Sequence, residues 1–457
     1  MRRHIIVGQF GPNDSGPAPI ERDAVVSQLN LVGAGRKLNY GVGHALDDLS
    51  KIGLFPSEMG IDVLIFAAHV QFADTHISRA TESQDTWTRE IKLVVPVSDL
   101  QKWNTAAPQL KRALDFLTGD IWRLEFRSRP SDYSALVPVG TRSLAGVPFD
   151  RLALFSGGLD SLIGAINNLH SGGRPLLISH TGEGAISGAQ QVCFDELKTH
   201  YPQSQIDRLR VWMSFPGLRV SDTKMEKTTR GRSFLFFSIG ILAGTGFSGP
   251  FTLEVPENGL IALNVPLDPL RLGSHSTRTT HPFYIARWNE ILRILHIDGK
   301  IENPYWNRTK GEMVADCANE ALLRQLIPSS LSCSSPTKGR WTGHGVQHCG
   351  YCVPCVIRRA ALKSGLGRHS DPTTYYLADL SEGILNSRKA KGEQLRSFQY
   401  AVSRLRANPG LAKSLIHSSG SLADESSVRQ IELADVYLRG MAEVEHLLRG
   451  VEASSEQ

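Results

Sequence analysis

The sequence predicts an α/β protein with a parallel β-sheet at its centre, and two observations lead to this fold class. First, from about Arg151 onward, short apolar runs that are typical of buried strands alternate with helical segments, which indicates βαβ units. Second, glycine-rich turns separate several of these segments. We expect this domain to span residues 149–366. The strand-like runs lie at residues 152–155, 176–179, 209–215 and 251–255.

The residues on either side of this domain have a different pattern. In residues 1–148, a β-branched run at 91–97 is followed by three leucines at helical spacing. Apolar and charged side chains then alternate at 122–126, as in a half-buried strand. We therefore expect an N-terminal α+β domain. Residues 367–457 lack a parallel-sheet pattern and contain two helical stretches, so we expect a helical C-terminal segment.

Composition and charge exclude several classes of protein. The 457 residues are 41% hydrophobic and 21% charged, which excludes a wholly disordered, collagen-like or multi-span membrane protein. A net charge of +5 is small for this length, so we do not expect direct nucleic-acid binding. The longest uncharged stretch, 233–253, is long enough to span a membrane. Its glycines and Pro250 instead indicate a buried helix, a turn and a strand, and we expect a cytoplasmic protein without a membrane span.

The most specific motif is Ser-Gly-Gly-Leu-Asp-Ser at residues 156–161, between a predicted strand and a predicted helix. Gly157 and Gly158 allow a close approach of the backbone to a ligand, and amides at a helix N-terminus bind anions. Ser156 and Ser161 add hydroxyl donors to this loop. Asp160 is expected either to cap the helix or to contact magnesium. The motif predicts a phosphate-binding loop, with a plain strand–turn–helix junction as the alternative.

Four of the six cysteines lie close together in the sequence and predict a metal site. Tetrahedral zinc suits four thiolates in a reducing compartment. An iron–sulfur cluster is one alternative, although the ferredoxin pattern continues to a nearby fourth cysteine that is missing here. Free thiols are the other alternative, and His344 or His348 could replace one thiolate. The four cysteines are Cys333, Cys349, Cys352 and Cys355.

Together, these two motifs resemble the 7-cyano-7-deazaguanine synthase (QueC) family of the PP-loop ATP pyrophosphatases. The resemblance covers about residues 151–366. It implies a PP-loop core whose Ser-Gly-Gly loop binds the β and γ phosphates of ATP, with Mg²⁺, while the four cysteines bind Zn²⁺. It also implies that a 7-carboxy-7-deazaguanine-type carboxylate is adenylated with release of pyrophosphate and then transferred to an amine.

The resemblance also implies roles for individual residues. Asp160 and Ser161 of the loop would take part in catalysis. The segment 229–233 is similar to the family's P-x-R-N segment beside the nucleotide, although its Pro and Asn are changed here. From this segment only Arg232 is carried over as a catalytic residue.

Two further groups of polar residues are candidates for binding the substrate. Glu257 and Asn258 follow the fourth predicted strand, at the edge where open α/β sheets bind ligands, and Glu257 could accept hydrogen bonds from a guanine-like base. A simple turn is the alternative. Arg278 and His281 precede a predicted helix and could contact carboxylate or phosphate. Capping of that helix by Thr280 is the alternative there.

The family's biosynthetic enzyme is similar to the central domain alone, about half of this chain. The additional segments are similar to those of QueC-like proteins from bacterial antiphage loci, including the four-protein Qat system. This similarity implies that other proteins of a defence operon are partners, and we expect the N-terminal domain to dock one of them. Two alternatives remain: a PP-loop enzyme of tRNA thiolation, and a non-catalytic subunit that senses a nucleotide.

Overall fold

Two parallel β-sheets, of four and five strands, organise the chain in a computed structural model, and they confirm the predicted α/β class. Helices pack between and around the sheets. The structure describes residues 2–455 except 12–13, 15–20, 22, 34–35, 84, 138–147, 183, 222, 270–277, 344 and 368–370.

The N-terminal unit contains the four-stranded sheet, in the order β2-β1-β3-β4. All of its strand pairs are parallel, so the expectation of an α+β domain is wrong and this unit is α/β. The sequence pattern of a strand does not reveal the direction of its neighbour, which depends on the connection between them. The elements are β1 (Arg3–Gln9), β2 (Ala24–Asn30), α1 (Val42–Lys51), α2 (Glu58–His76), α3 (Arg79–Glu82), β3 (Glu90–Val97), α4 (Leu100–Thr118) and β4 (Ile121–Ser128).

The central unit contains the five-stranded sheet, in the order β7-β6-β5-β8-β9, again with parallel pairs throughout. Its first strand in the sequence, β5, lies in the middle. Its elements are β5 (Arg151–Leu154), α5 (Leu159–His170), β6 (Pro175–His180), α6 (Gly184–His200), β7 (Asp207–Val211), α7 (Arg232–Gly244), β8 (Phe251–Glu254), α8 (Gly259–Leu263), α9 (Pro282–Ile294), β9 (Gly299–Glu302), α10 (Lys310–Ala315), α11 (Glu320–Leu326) and α12 (Val353–Leu366).

The order in which strands are added to the sheet reverses next to β5, while the strands themselves stay parallel. From β5 the chain builds outward through β6 and β7, and it then returns to form β8 and β9 on the other side. Because the strands are parallel, the carboxyl ends of β5, β6 and β8 meet at one edge of the sheet. Open α/β sheets bind ligands at such an edge, beside the point of reversal.

The uncharged stretch 233–253 forms a buried helix, a turn and a strand, as its sequence predicts. Helix α7 contributes the buried residues, and β8 lies beside β5 in the sheet. Among the helices that the structure describes, none has both the length and the apolar character needed to cross a membrane.

The N-terminal and central units share one hydrophobic core. Helix α2 packs against α7, and α4 packs against α9. Phe66 of α2 has its ring centroid 5.4 Å from that of Phe234 on α7, which in turn lies 4.5 Å from Trp288 on α9. Side chains from strands of both sheets belong to the same buried cluster. The helical layer between the two sheets therefore joins them.

The C-terminal segment is helical, as predicted, and packs against the central unit through a second core. Helix α15 crosses α8 and α12 there. Two short strands pair in parallel beside these helices. The elements are β10 (Leu385–Asn386), α13 (Ala390–Ala407), α14 (Ala412–Leu415), α15 (Ser427–Leu447) and β11 (Ala453–Ser454).

We expect the shared core to make the two sheets unfold together. Phe66→Ala should lower the free energy of unfolding by about 3–5 kcal/mol, because it leaves a cavity between α2 and α7. Urea unfolding followed by circular dichroism and by tryptophan fluorescence would give a single, coincident transition. Val428→Ala is the control, since Val428 is 65% exposed and its loss should cost less than ~0.5 kcal/mol. Two separate transitions would contradict a common core.

Candidate functional site

The Ser-Gly-Gly loop connects the middle strand β5 to α5. Gly157 has φ +77°, a conformation that favours glycine, and a Cβ there would lie 3.0 Å from the backbone nitrogen of Gln190. Gly158 is the N-cap residue of α5 and has no side chain to cap the helix, while Ser332 Oγ accepts a hydrogen bond of 3.3 Å from the amide of Leu159. The first amides of α5 therefore lie at the carboxyl edge of the sheet, where helix N-termini bind anions.

Two serine hydroxyls lie beside this turn. Ser156 Oγ is 3.2 Å from Ser161 Oγ, and it also accepts a hydrogen bond of 3.3 Å from the amide of Gly158. Ser161 Oγ donates to the carbonyl of Gly158 at 3.0 Å. Ser156 is exposed, whereas Ser161 is buried. The structure thus brings both predicted serines together on one loop.

Asp160 lies in the first turn of α5, whose N-cap residue is Gly158, and makes no capping hydrogen bond, so the expectation that Asp160 caps this helix is wrong. Asn258 donates from Nδ2 to Asp160 Oδ2 at 2.8 Å. Lys310 Nζ lies 3.2 Å from the other oxygen, Oδ1, and both side chains are largely buried. The contact with magnesium stays a prediction.

Lys310 is a candidate site residue that the sequence reasoning missed. It is the first residue of α10, and Thr309 before it forms a capping box with Glu312. This Thr-x-x-Glu pattern is readable in the sequence and would have located the start of a helix. Its position beside Asp160 depends on the tertiary fold, because 150 residues separate the two in the chain.

Glu257 and Asn258 follow β8 and lie next to Asp160, which follows the neighbouring strand β5. Asn258 also accepts a hydrogen bond from Ile261 and so caps α8. Glu257 accepts a hydrogen bond from the hydroxyl of Thr280. Burial raises the pKa of Glu257 to about 7; the Thr280 hydroxyl opposes this rise and the charge of Asp160 adds to it.

Arg278 and His281 lie against α4 of the N-terminal unit. Arg278 donates to the carbonyl of Phe116 at 2.7 Å, and its guanidinium lies 4.8 Å from the centre of that ring. His281 is the N-cap residue of α9 and accepts a hydrogen bond from the amide of Phe283. The alternative that Thr280 caps this helix is therefore wrong. Substrate contacts of Arg278 and His281 stay predictions.

Arg232 is the first residue of α7 and lies near the carboxyl end of β6. Its guanidinium is 5.1 Å from the ring of Phe236. His180, at the end of β6, is buried, and burial together with the charge of Arg232 lowers the pKa of His180 to about 4. The residue before Arg232, Gly231, donates its amide to Asp74 of α2 at 2.6 Å. The N-terminal unit therefore holds the start of α7.

The four predicted cysteines form one cluster whose sulfur atoms lie within 4.8 Å of one another. Cys333 Sγ is 3.9 Å from Cys352 Sγ, and Cys349 Sγ is 3.8 Å from Cys355 Sγ. A zinc–sulfur bond of about 2.3 Å gives sulfur separations of about 3.8 Å around a tetrahedral ion. The donor atoms and their spacing therefore fit a metal such as zinc.

Two histidines lie close to the cysteines in the sequence and were alternatives as metal ligands. His348 accepts a hydrogen bond of 3.1 Å from the amide of Ser332 through Nε2, and the group of possible metal ligands consists of cysteines alone. The alternative that His348 replaces a thiolate is therefore wrong. Burial lowers the pKa of His348 to about 3. His344 lies outside the described residues.

The chain segment that leads into the cysteine cluster also holds the Ser-Gly-Gly loop. The amide of Leu331 donates to the carbonyl of Gly157 at 2.8 Å. Arg358, on the helix after the cluster, donates to Ser330 Oγ at 3.0 Å and to Ser332 Oγ at 3.2 Å. A metal bound by the cysteines would therefore stabilise the backbone that supports the loop.

Comparisons with models of protein families, with curated proteins and with solved structures found no match. Support for an activity therefore comes from the residues themselves. The loop, the acidic and amide side chains after β8, Lys310 and the cysteine cluster all lie around the carboxyl end of β5.

We expect Cys352→Ala to abolish stoichiometric metal binding, because three thiolates leave a tetrahedral ion incompletely coordinated. Metal content of protein purified without chelator would be measured by mass spectrometry, and thermal stability would fall in parallel. Cys193→Ala is the matched control, since Cys193 is buried in α6 outside the cluster and its loss should leave the metal content unchanged. Metal-free wild-type protein would contradict this assignment.

The raised pKa of Glu257 predicts a pH dependence of stability. Because the folded pKa is about 7 and the usual value is 4.5, the folded protein favours the protonated carboxyl. This contribution to stability is fully present below pH 4.5 and is lost as the pH rises through 7. As the pH rises from 4.5 to 7, the wild type should therefore lose stability that Glu257→Gln keeps. The free energies of unfolding in urea would show this difference. Glu302→Gln is the control, at an exposed carboxylate on β9. Its free energy of unfolding should change with pH in the same way as that of wild type.

Proposed function

We propose that the protein is an ATP-dependent, QueC-like synthase or ligase that adenylates a 7-carboxy-7-deazaguanine-type carboxylate and transfers it to an amine, in bacterial antiphage defence. The observation that carries the proposal is the position of the Ser-Gly-Gly loop. It opens α5 at the carboxyl end of the middle strand of a parallel sheet, beside the reversal between β5 and β8. This is the place expected of a nucleotide-binding PP-loop.

The groups around the loop suit the phosphates of ATP. The amides at the start of α5 and the hydroxyl of Ser156 can donate to phosphate oxygens, and the Ser161 hydroxyl could do so after turning from the carbonyl of Gly158. Lys310 adds a positive charge beside the loop, next to Asp160. Asp160 would hold Mg²⁺ through Oδ1, the oxygen that Lys310 pairs with in this structure, so the ion and the lysine would share it. The magnesium ion would neutralise phosphate charge when bound.

The opposite side of the site suits a purine-like carboxylate. Glu257 lies after β8 and can accept hydrogen bonds from the N1–H and amine of a guanine-like base. A base bound there would lie close to the loop, because Glu257 is next to Asp160. Arg232, at the end of β6, would contribute positive charge to the nucleotide side.

The chemistry needs an electrostatically complementary site more than a protein nucleophile. A carboxylate oxygen of the substrate attacks the α-phosphorus of ATP, and pyrophosphate leaves with the electrons of the broken P–O bond. The amine then attacks the acyl carbon of the adenylate, loses a proton, and displaces AMP, which keeps the carboxylate oxygen. Zinc, held by the cysteines, would support the backbone beneath the loop and would take no part in these steps.

The proposal is tested by incubating the protein with ATP, Mg²⁺ and 7-carboxy-7-deazaguanine, with ammonia or with protein partners, and measuring pyrophosphate and AMP. Asp160→Asn should lower turnover on the order of 100-fold, because the neutral amide no longer offers a carboxylate. Asp195→Asn is the control, at an exposed position on α6. ATP binding without pyrophosphate under every condition would instead support a nucleotide-sensing subunit.

A further inference from the structure

The C-terminal helix α15 reaches the turn that carries Lys310. Glu443 accepts a hydrogen bond from the hydroxyl of Thr309 through one carboxylate oxygen, and from the amide of Gly311 at 3.2 Å through the other. The two donors flank Lys310 in the chain. Glu443 therefore binds the side chain of the residue before this lysine and the backbone of the residue after it.

The fit between α15 and this turn is close. A Cβ at residue 311 would collide with the carboxylate of Glu443 and displace it from this position. Arg439, one turn earlier on α15, pairs with Glu312 and donates to the carbonyl of Asn307 at 3.0 Å. Helix α15 thus holds residues 307–312 at two points.

The same helix also packs against the element that carries Asn258. Val436 of α15 and Leu260 of α8 belong to one buried cluster, and Asn258 caps α8. Both partners of the Asp160 carboxylate, Lys310 and Asn258, are therefore held by elements that contact α15. Because the lysine is 4% exposed, its ammonium group can find few other positions when the backbone of the turn is fixed.

We propose that Glu443 is a positioning residue for Lys310, and that the C-terminal segment thereby completes the phosphate side of the site formed by the loop and Asp160. The contact with Thr309 and Gly311 fixes the backbone of the turn. The turn directs the ammonium of Lys310 to Asp160. The catalytic part of this inference rests on the proposed function, whereas the positional part does not.

The positional part is tested on the full chain by the rate at which Lys310 reacts with an acylating reagent, read by peptide mass spectrometry. In wild type the buried, paired lysine should react slowly. Glu443→Ala should raise the rate on the order of tenfold, since the freed turn exposes the ammonium. Exposed Lys300 should react equally in both proteins. Glu445→Ala is the matched control, because Glu445 lies on α15 and pairs with Arg406 instead.

The catalytic part is tested by a double-mutant cycle on pyrophosphate release. Glu443→Ala should lower kcat/KM for ATP by about 10- to 100-fold, because a displaced charge stabilises the reacting phosphates poorly. Lys310→Met should have an effect at least as large. If Glu443 acts through Lys310, the double variant should be no slower than Lys310→Met alone. Circular dichroism and thermal melting would verify folding, and Glu443→Gln replaces the alanine variant if that one does not fold.

The outcomes separate this inference from the proposed function. An unchanged rate of Lys310 acylation in a folded Glu443 variant overturns the inference, and so do additive effects in the cycle. A faster acylation, in a protein that releases no pyrophosphate in any variant, supports the positioning role and overturns the proposed function alone.

Discussion

The carboxylate of Asp160 is the point on which the arrangement of the site depends. It is largely buried, and a buried charge is stable only when it is paired and hydrogen-bonded. Lys310 supplies the opposite charge and Asn258 supplies the hydrogen bond, and the two come from different elements of the chain. Loss of either partner would leave an uncompensated group in the interior, which is costlier than loss of an exposed ion pair. The loop, the strand edge and the C-terminal segment are therefore coupled through one side chain.

The segment that leads into the cysteine cluster also holds the Ser-Gly-Gly loop in place. The backbone before Cys333 binds Gly157, and Arg358 fixes that backbone from the helix after the cysteines. The cluster and the loop are thus two ends of one hydrogen-bonded structure. Their joint occurrence in the sequence has a physical basis in this contact.

Local signals in the sequence predicted most of the central unit and much of the site. The loop and the cysteines are short motifs, and Glu257 could be placed because parallel strands end at one edge. The parallel direction of β3 and β4 could have been predicted, because a helical segment connects the two strand patterns, and the α+β prediction did not use it. Helix α2 is buried around its circumference and so lacks an amphipathic pattern. Lys310 and Glu443 were not predictable as partners, since their proximity depends on packing between distant helices.

The hydrogen bond from Gly231 to Asp74 bears on how separable the N-terminal unit is from the rest of the chain. Asp74 is fully buried in α2 and is also paired with Arg89, so it belongs to the rigid interior of that unit. The start of α7, and with it Arg232, is anchored on this interior. The N-terminal unit is therefore not a detachable module: a shorter chain made by cutting it away would lack part of the frame around the carboxyl edge of its own sheet.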